Sequence, residues 1–353
     1  MKYMNVEFLR FIFSIMIVYY HLFIAIKDFV GDSEIYAVLT RNTSYAWIIV
    51  EFFLIIAGYF LYQAHMKRKD NWSSFALNKI ARLWPVLFFG SAFWTILHFV
   101  FGVKINLYTQ FINLFFLQCI GITFDYRGIL WFISPFFWVM LLYFYVLKNW
   151  KQENANLFIA ILLYLSFATY INNCFPDSIS RMIRVFYGIG IGYFIGIFHS
   201  KITNYAEICK TRMQKIFKFI VVSAIEIYCF VFLINNCIFH RLSFNNVLIY
   251  VLVFSILFLL FLVKQGLLSK FLDNKFWGYC GRFSYSIYVM QIIIFLIFQQ
   301  TLWKNQAFIF EHVYLNIFIT LLSSVIMGIL TYKFVEVPAG KFLKEKIFFR
   351  PKE

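Results

Sequence analysis

Charge is scarce in this sequence. Only 14% of its residues are Asp, Glu, Lys or Arg, against 62% hydrophobic residues that include 49 Phe, 23 Tyr and 9 Trp. One soluble core could not hide that much apolar surface, so the composition excludes a soluble globular protein and implies an integral membrane protein. Linkers rich in Pro, Gly and Ser, low-complexity tracts and convincing repeats are also missing, which predicts a single transmembrane domain over residues 1–353. The six cysteines, Cys119, Cys174, Cys209, Cys229, Cys237 and Cys280, show no C-x-x-C spacing, so neither a metal site nor a disulfide framework is expected. Acidic residues are scarce too, 16 against 32 basic ones. The resulting charge of +16 is spread over separate segments and does not gather in a soluble module with interleaved aromatics. Nucleic acid is therefore not the expected partner; the lipid bilayer, with its anionic surface, is.

What fills the chain instead is a series of apolar runs, each about one membrane crossing long. Hydrocarbon about 30 Å thick takes roughly 20 helical residues, and a helix satisfies its own backbone where no water is present. The runs predict an all-α integral membrane protein, a bundle of about ten transmembrane helices near 8–27, 45–64, 83–101, 129–147, 157–172, 184–198, 218–235, 246–263, 284–302 and 312–333. The first run is too long, and lacks the small-residue cleavage site, for a removed signal peptide. With the N-terminus cytoplasmic, the inner segments hold 23 of the 32 Lys and Arg and the outer segments eight. Both termini are then expected in the cytoplasm, and the protein in the inner cell membrane as a multi-pass chain. The stretch 111–124 is apolar, but inserting it would put 17 downstream basic residues outside against five inside, so a re-entrant or interfacial segment is expected there.

Against this background two polar residues stand out in the first run, Arg10 and His21, with ten residues between them. Eleven steps at 100° bring a helix back to within about 20° of its start, so both share one face about 16 Å apart along the axis. An ionisable group facing lipid costs roughly 2.5–3.5 kcal/mol, so the pair is expected to face a protein interior or a wet cavity. An imidazole of ordinary pKa, about 6.5, is largely neutral at pH 7 and able to accept a proton.

The order of these and later elements resembles the membrane acyltransferase 3 family, which includes O-acetyltransferases of bacterial surface polysaccharides. The resemblance begins with Arg10, ten residues and His21, and continues in VEFFLIIAGYFL, which has Ala57-Gly58 where Ser-Gly is usual. It runs on through Lys79-Ile80-Ala81-Arg82-Leu83-Trp84-Pro85, with Lys79 in place of the commoner Arg, and through GILWFISPFF. FSYSIYVMQ is similar to the family's Ser-Tyr-x-Ile-Tyr-Leu-x-His, with Gln291 in place of His, which leaves hydrogen bonding but no proton transfer there. FVEVP resembles the closing Val-Glu-x-Pro.

The resemblance implies acyl transfer, with acetyl-CoA as donor and co-substrate, no metal, and a glycan or glycolipid as acceptor. In those roles His21 is the expected general base and Arg10 the group that meets the donor's arm or thioester carbonyl. Lys79 and Arg82, with Arg68 from the same basic loop, are expected to hold the donor's phosphates. Glu51, Trp131, Tyr285 and Gln291 are candidate supporting residues; Trp131, Tyr285 and Tyr288 are read as packing or interface aromatics, with an acceptor groove as the alternative role. Glu336 is expected to pair with Arg10 or Arg82 in an architectural role. His98, His199, His240 and His312 are read as structural, and Glu226 as less promising than Glu51. A transporter or flippase of lipid-linked glycan is the rival reading, but it calls for inverted repeats and Gly/Pro-broken helices in matching halves, and neither is evident.

Overall fold

Hydrocarbon leaves a backbone no partner but itself, and the apolar runs accordingly fold as helices. The computed structural model describes residues 3–30, 46–67, 71–104, 106–118, 130–172, 174–175, 177–205, 211–239 and 247–348. Ten long helices occur among them, one on each predicted run: α1 (Met4–Val30), α2 (Ile49–Lys67), α3 (Trp72–Val100), α4 (Ile133–Asn149), α5 (Gln152–Ile171), α6 (Asp177–Tyr205), α7 (Arg212–Phe239), α8 (Val247–Val263), α9 (Ser284–Gln300) and α10 (Val313–Thr331). Eight of these helical segments are long and apolar enough to cross a membrane; α4 and α8, at 17 residues each, are shorter apolar helices. The described residues contain no strand, and the chain is an all-α, multi-pass membrane protein.

Of the stretch 111–124, only 111–118 is described. It ends the eight-residue helix Leu107–Leu114 and turns at Phe116, whose φ is 55°. A helix of that length covers about 12 Å, too little for a crossing. Trp138 Nε1 donates to the Phe116 carbonyl at 2.7 Å and so fastens the turn to α4.

The tightest helix pair is α2 with α6. Gly188, Gly192 and Gly196 repeat every fourth residue on α6 and face Leu54, Ile55 and Tyr62 of α2, while Gly58 of α2 faces the Ile189 backbone. Without a hydrophobic drive between helices in lipid, such small-residue stripes let backbones approach and pack. A Cβ on Gly192 would overlap the Ile55 carbonyl oxygen, and one on Gly58 the Ile189 carbonyl oxygen. Neither carbonyl can swing aside as a side chain can, so Gly192→Val should cost more than the roughly 1–3 kcal/mol of ordinary overpacking. The expected result is loss of the monodisperse peak when the variant is extracted in mild detergent and run on a sizing column.

The first helix is clipped at its start. Met4 N and Asn5 N, two of the amides that a helix leaves unpaired in its first turn, donate to Asp273 Oδ1 at 3.0 and 3.3 Å. Asn5 Nδ2 donates to the Phe261 and Ser269 carbonyls at 2.6 and 3.1 Å. The connection between α8 and α9, with short helices Leu267–Phe271 and Lys275–Cys280, thus fixes the height and rotation of α1. Glu226, buried on α7, supports the same connection by accepting from Ser269 N at 3.2 Å.

Candidate active site

Helices α1, α2, α3, α4 and α9, with the chain that follows α10, enclose a cavity of about 920 Å³. Ligand sites commonly fall between about 300 and 1,000 Å³. The lining carries six cations (Arg10, Lys79, Arg82, Arg282, Lys341, Lys344) and three carboxylates (Glu7, Glu336, Glu345), so cations prevail two to one.

Arg10 is held by its own helix. NH1 donates to both carboxylate oxygens of Glu7, at 3.0 and 2.8 Å, an i,i+3 pair, which leaves donors elsewhere on the guanidinium for a ligand. Gly281 makes room for this arrangement, since a Cβ there would overlap the Glu7 carboxylate. On α3, Asn71 caps the helix by accepting from Ser74 N at 2.8 Å, and the basic loop of the sequence becomes helical from Trp72. Lys79 Nζ then lies 5.2 Å from the Phe75 ring centre and 5.7 Å from that of Phe136. Arg82 is exposed to the cavity, within electrostatic reach of Arg10, Glu7, Glu336 and Tyr285. Among the described residues no carboxylate stands at ion-pair distance from Lys79, Arg82 or Lys344.

Glu336 does not make the contact expected of it. Its Oε2 accepts from Ser286 Oγ at 2.5 Å, with Arg82 and Arg10 near but not in contact, and the partner of Arg10 is Glu7. Tyr285 lines the cavity and donates from its hydroxyl to the Leu83 carbonyl at 2.8 Å.

His21 is not among the residues that line this cavity; its ring stands 6.4 Å from that of Tyr288, which is. The Tyr20 ring lies 5.2 Å away. Gln291 bonds to the imidazole, and its own geometry fixes the tautomer. Gln291 Nε2 donates to the Tyr288 carbonyl at 2.8 Å, so Oε1 is the atom facing His21 Nδ1 at 3.2 Å. An amide oxygen only accepts, so Nδ1 carries the proton, and in a neutral imidazole the lone pair is then on Nε2.

Glu51 and Trp131 belong to a second cluster. Glu51 is fully buried, and its Oε1 accepts from Arg184 Nε at 2.7 Å and from the Tyr187 hydroxyl at 2.9 Å. The Arg184 guanidinium lies between Trp47 and Trp131, 4.6 and 5.1 Å from their ring centres, and Arg181 lies 5.3 Å from Trp131. Trp131 thus packs on arginines and does not line the cavity that holds Tyr285. Arg184 and Arg181 lie within electrostatic reach of Tyr20, and Arg181 within reach of Tyr288, so both rings that neighbour His21 feel this cluster.

A family model described as an acyltransferase domain, that of acyltransferase 3, matches residues 4–333. The chain belongs to the acyltransferase 3 family. No curated protein and no solved structure matches it. As an acyltransferase 3 protein it is a membrane acyltransferase, and the match takes in both α1 polar residues and the Gln291 region.

Sequence reasoning missed several members of this acyltransferase's candidate site. Glu7 was open to it as an acid three residues before Arg10. Arg184 was not, since its partner is 133 residues away, though Arg181 and Arg184 three apart at the start of an apolar run are a visible stripe. Arg68 and His240 lie outside the described residues, whereas His98 donates to the Trp94 carbonyl at 3.1 Å and His199 bonds the Tyr59 hydroxyl at 3.4 Å. The described residues hold no group of three or more His, Cys, Asp and Glu side chains placed to bind a metal ion.

Proposed function

We propose that this acyltransferase transfers an acetyl group from cytoplasmic acetyl-CoA to a hydroxyl of a bacterial cell-surface glycan, or of its lipid-linked precursor, in the inner membrane. The observation that carries the reading is one cavity in which Lys79 and Arg82 have no carboxylate at contact distance, Arg10 lines the same space, and Tyr288 adjoins His21. Cations without counterions suit a polyphosphate ligand, and Arg82 has the planar fork that matches phosphate oxygens. Bound acetyl-CoA would supply the thioester.

The chain's own groups cover the rest. The acceptor oxygen attacks the thioester carbonyl carbon while His21 Nε2 takes its proton, and Arg10, about three turns away along α1 and held by Glu7, meets the donor's arm. The C–S bond then breaks, and CoA leaves as a thiol with a proton returned from His21. Purified protein given radiolabelled acetyl-CoA should release free CoA only when glycan is added. Glycan movement across a bilayer without thioester turnover would overturn the reading in favour of a transporter.

Gln291 acts here by holding the imidazole. Gln291→Leu removes the acceptor for Nδ1–H, a hydrogen bond worth about 1 kcal/mol, which corresponds to roughly a fivefold fall in kcat. Steady-state kinetics should show that fall with KM for acetyl-CoA little changed.

A further inference from the structure

After α10 the chain does not unwind. It continues through a π-helical stretch, Tyr332–Glu336, an α-helical stretch, Val337–Phe342, and a second π-helical stretch, Leu343–Phe348. Tyr332, Glu336, Gly340 and Lys344, every fourth residue, line the cavity, with Lys341 and Glu345 beside them. A pure α-helix would rotate residue i+12 by about 120° from residue i and turn the later side chains away. A π turn takes more residues, so each residue rotates the chain less, and the stretch Tyr332–Glu336 offsets most of that drift before Lys344. One face therefore stays on the cavity to Lys344.

The segment is also joined to the other cationic wall. Pro85 lacks the N–H that would bond the Ala81 carbonyl within α3. Gly340 lies against that same carbonyl; a Cβ on Gly340 would come within 2.9 Å of it. Arg82 is the next residue, so the two sets of cations meet at this joint. They differ in exposure: Arg10 and Lys79 are half-buried, Arg82 is exposed, and the Lys341 side chain is 70% exposed. Lys341 has only a 4.0 Å contact to Glu345, and Lys344 has no carboxylate at that range among the described residues.

We infer that the C-terminal helical segment 332–348 forms the second wall of the donor site, with Lys341 and Lys344 binding the phosphate on the nucleotide end of the acyl thioester. The inference rests on the proposed acetyl-CoA reading. Along the gradient of exposure the thioester lies at the buried end, the pyrophosphate at Lys79 and Arg82, and the ribose 3′-phosphate outermost. Anionic lipid headgroups offer the same phosphate chemistry, so the test separates them.

The full-length protein is placed in nanodiscs of neutral lipid, and in discs that also contain phosphatidylglycerol, and its affinity for CoA and for dephospho-CoA is measured by calorimetry. Wild type should bind CoA about tenfold more tightly than dephospho-CoA, the size of one charge-assisted contact. The K341Q/K344Q double variant should bring CoA down to the dephospho-CoA affinity in both discs, and K341R/K344R should keep the preference. Equal weakening of both ligands, no change, no CoA binding by wild type, or an effect confined to the anionic discs would each overturn the inference. CoA release from acetyl-CoA is read separately. Wild-type discs that show the preference but turn over no acetyl-CoA when glycan is supplied would overturn the proposed reaction while leaving the C-terminal wall standing.

Discussion

His21→Ala is expected to lower glycan-dependent acetyl turnover by about 10²–10⁴-fold, the range a positioned general base contributes. The expectation comes from the tautomer. Gln291, oriented by the Tyr288 carbonyl, accepts from Nδ1 and leaves Nε2 as the basic nitrogen. His21 lies one ring beyond the cavity that holds the cations, so CoA affinity in the variant should stay within about twofold of wild type while kcat falls. The measurement is CoA release by purified protein at matched protein level, with calorimetry for CoA binding. Turnover that persists in His21→Ala would remove the base from this position. Loss of CoA binding along with turnover would mean that the imidazole serves the donor site and not the acceptor.

The ten helices were legible because apolar length is a strong signal, whereas their ends were not. Apolar composition places the start of the third run at 83, yet α3 begins at Trp72, because Asn71 caps it and the basic stretch before the hydrocarbon is itself helical. In the same way apolar composition places the start of the sixth run at 184, yet α6 starts at Asp177 and carries Arg181 and Arg184 on it. Charges read as loop residues thereby became parts of a buried cluster. At the site, the shared face of Arg10 and His21 followed from helical period alone, since both are half-buried on α1, but their separation put one on the cavity and the other past it. The contacts that give the site its chemistry join residues far apart in the chain: His21 with Gln291, Glu51 with Arg184, and Glu336 with Ser286. No local pattern encodes such pairs. The π turn that keeps Lys344 on the cavity leaves no hydrophobic period to read either.

Arg184→Met should be the most destabilising of the single substitutions outside the backbone-packed glycines. It leaves the fully buried Glu51 carboxylate with only the Tyr187 hydroxyl, and breaking one side of a buried pair costs about 3–5 kcal/mol. Thermal unfolding in detergent should show a large drop for Arg184→Met and recovery of most of it in the Glu51→Gln/Arg184→Met double variant, where no charge is stranded. The double variant matters because a buried ion pair is weak evidence for stability. Glu51 Oε2 has no hydrogen-bond partner among the described residues, so the pair is not optimised as a structural contact. What the pair does hold is position: Arg184 is seated between Trp47 and Trp131, and Trp131 also meets Arg181, whose charge reaches Tyr288 next to His21. A double variant that unfolds like wild type but has lost glycan-dependent turnover, with CoA affinity intact, would assign the cluster to the acceptor side of the reaction. A double variant that is both stable and active would make Glu51 and Arg184 a packing feature, and the acceptor's contacts would then have to come from Tyr20, Tyr288 and the cavity wall.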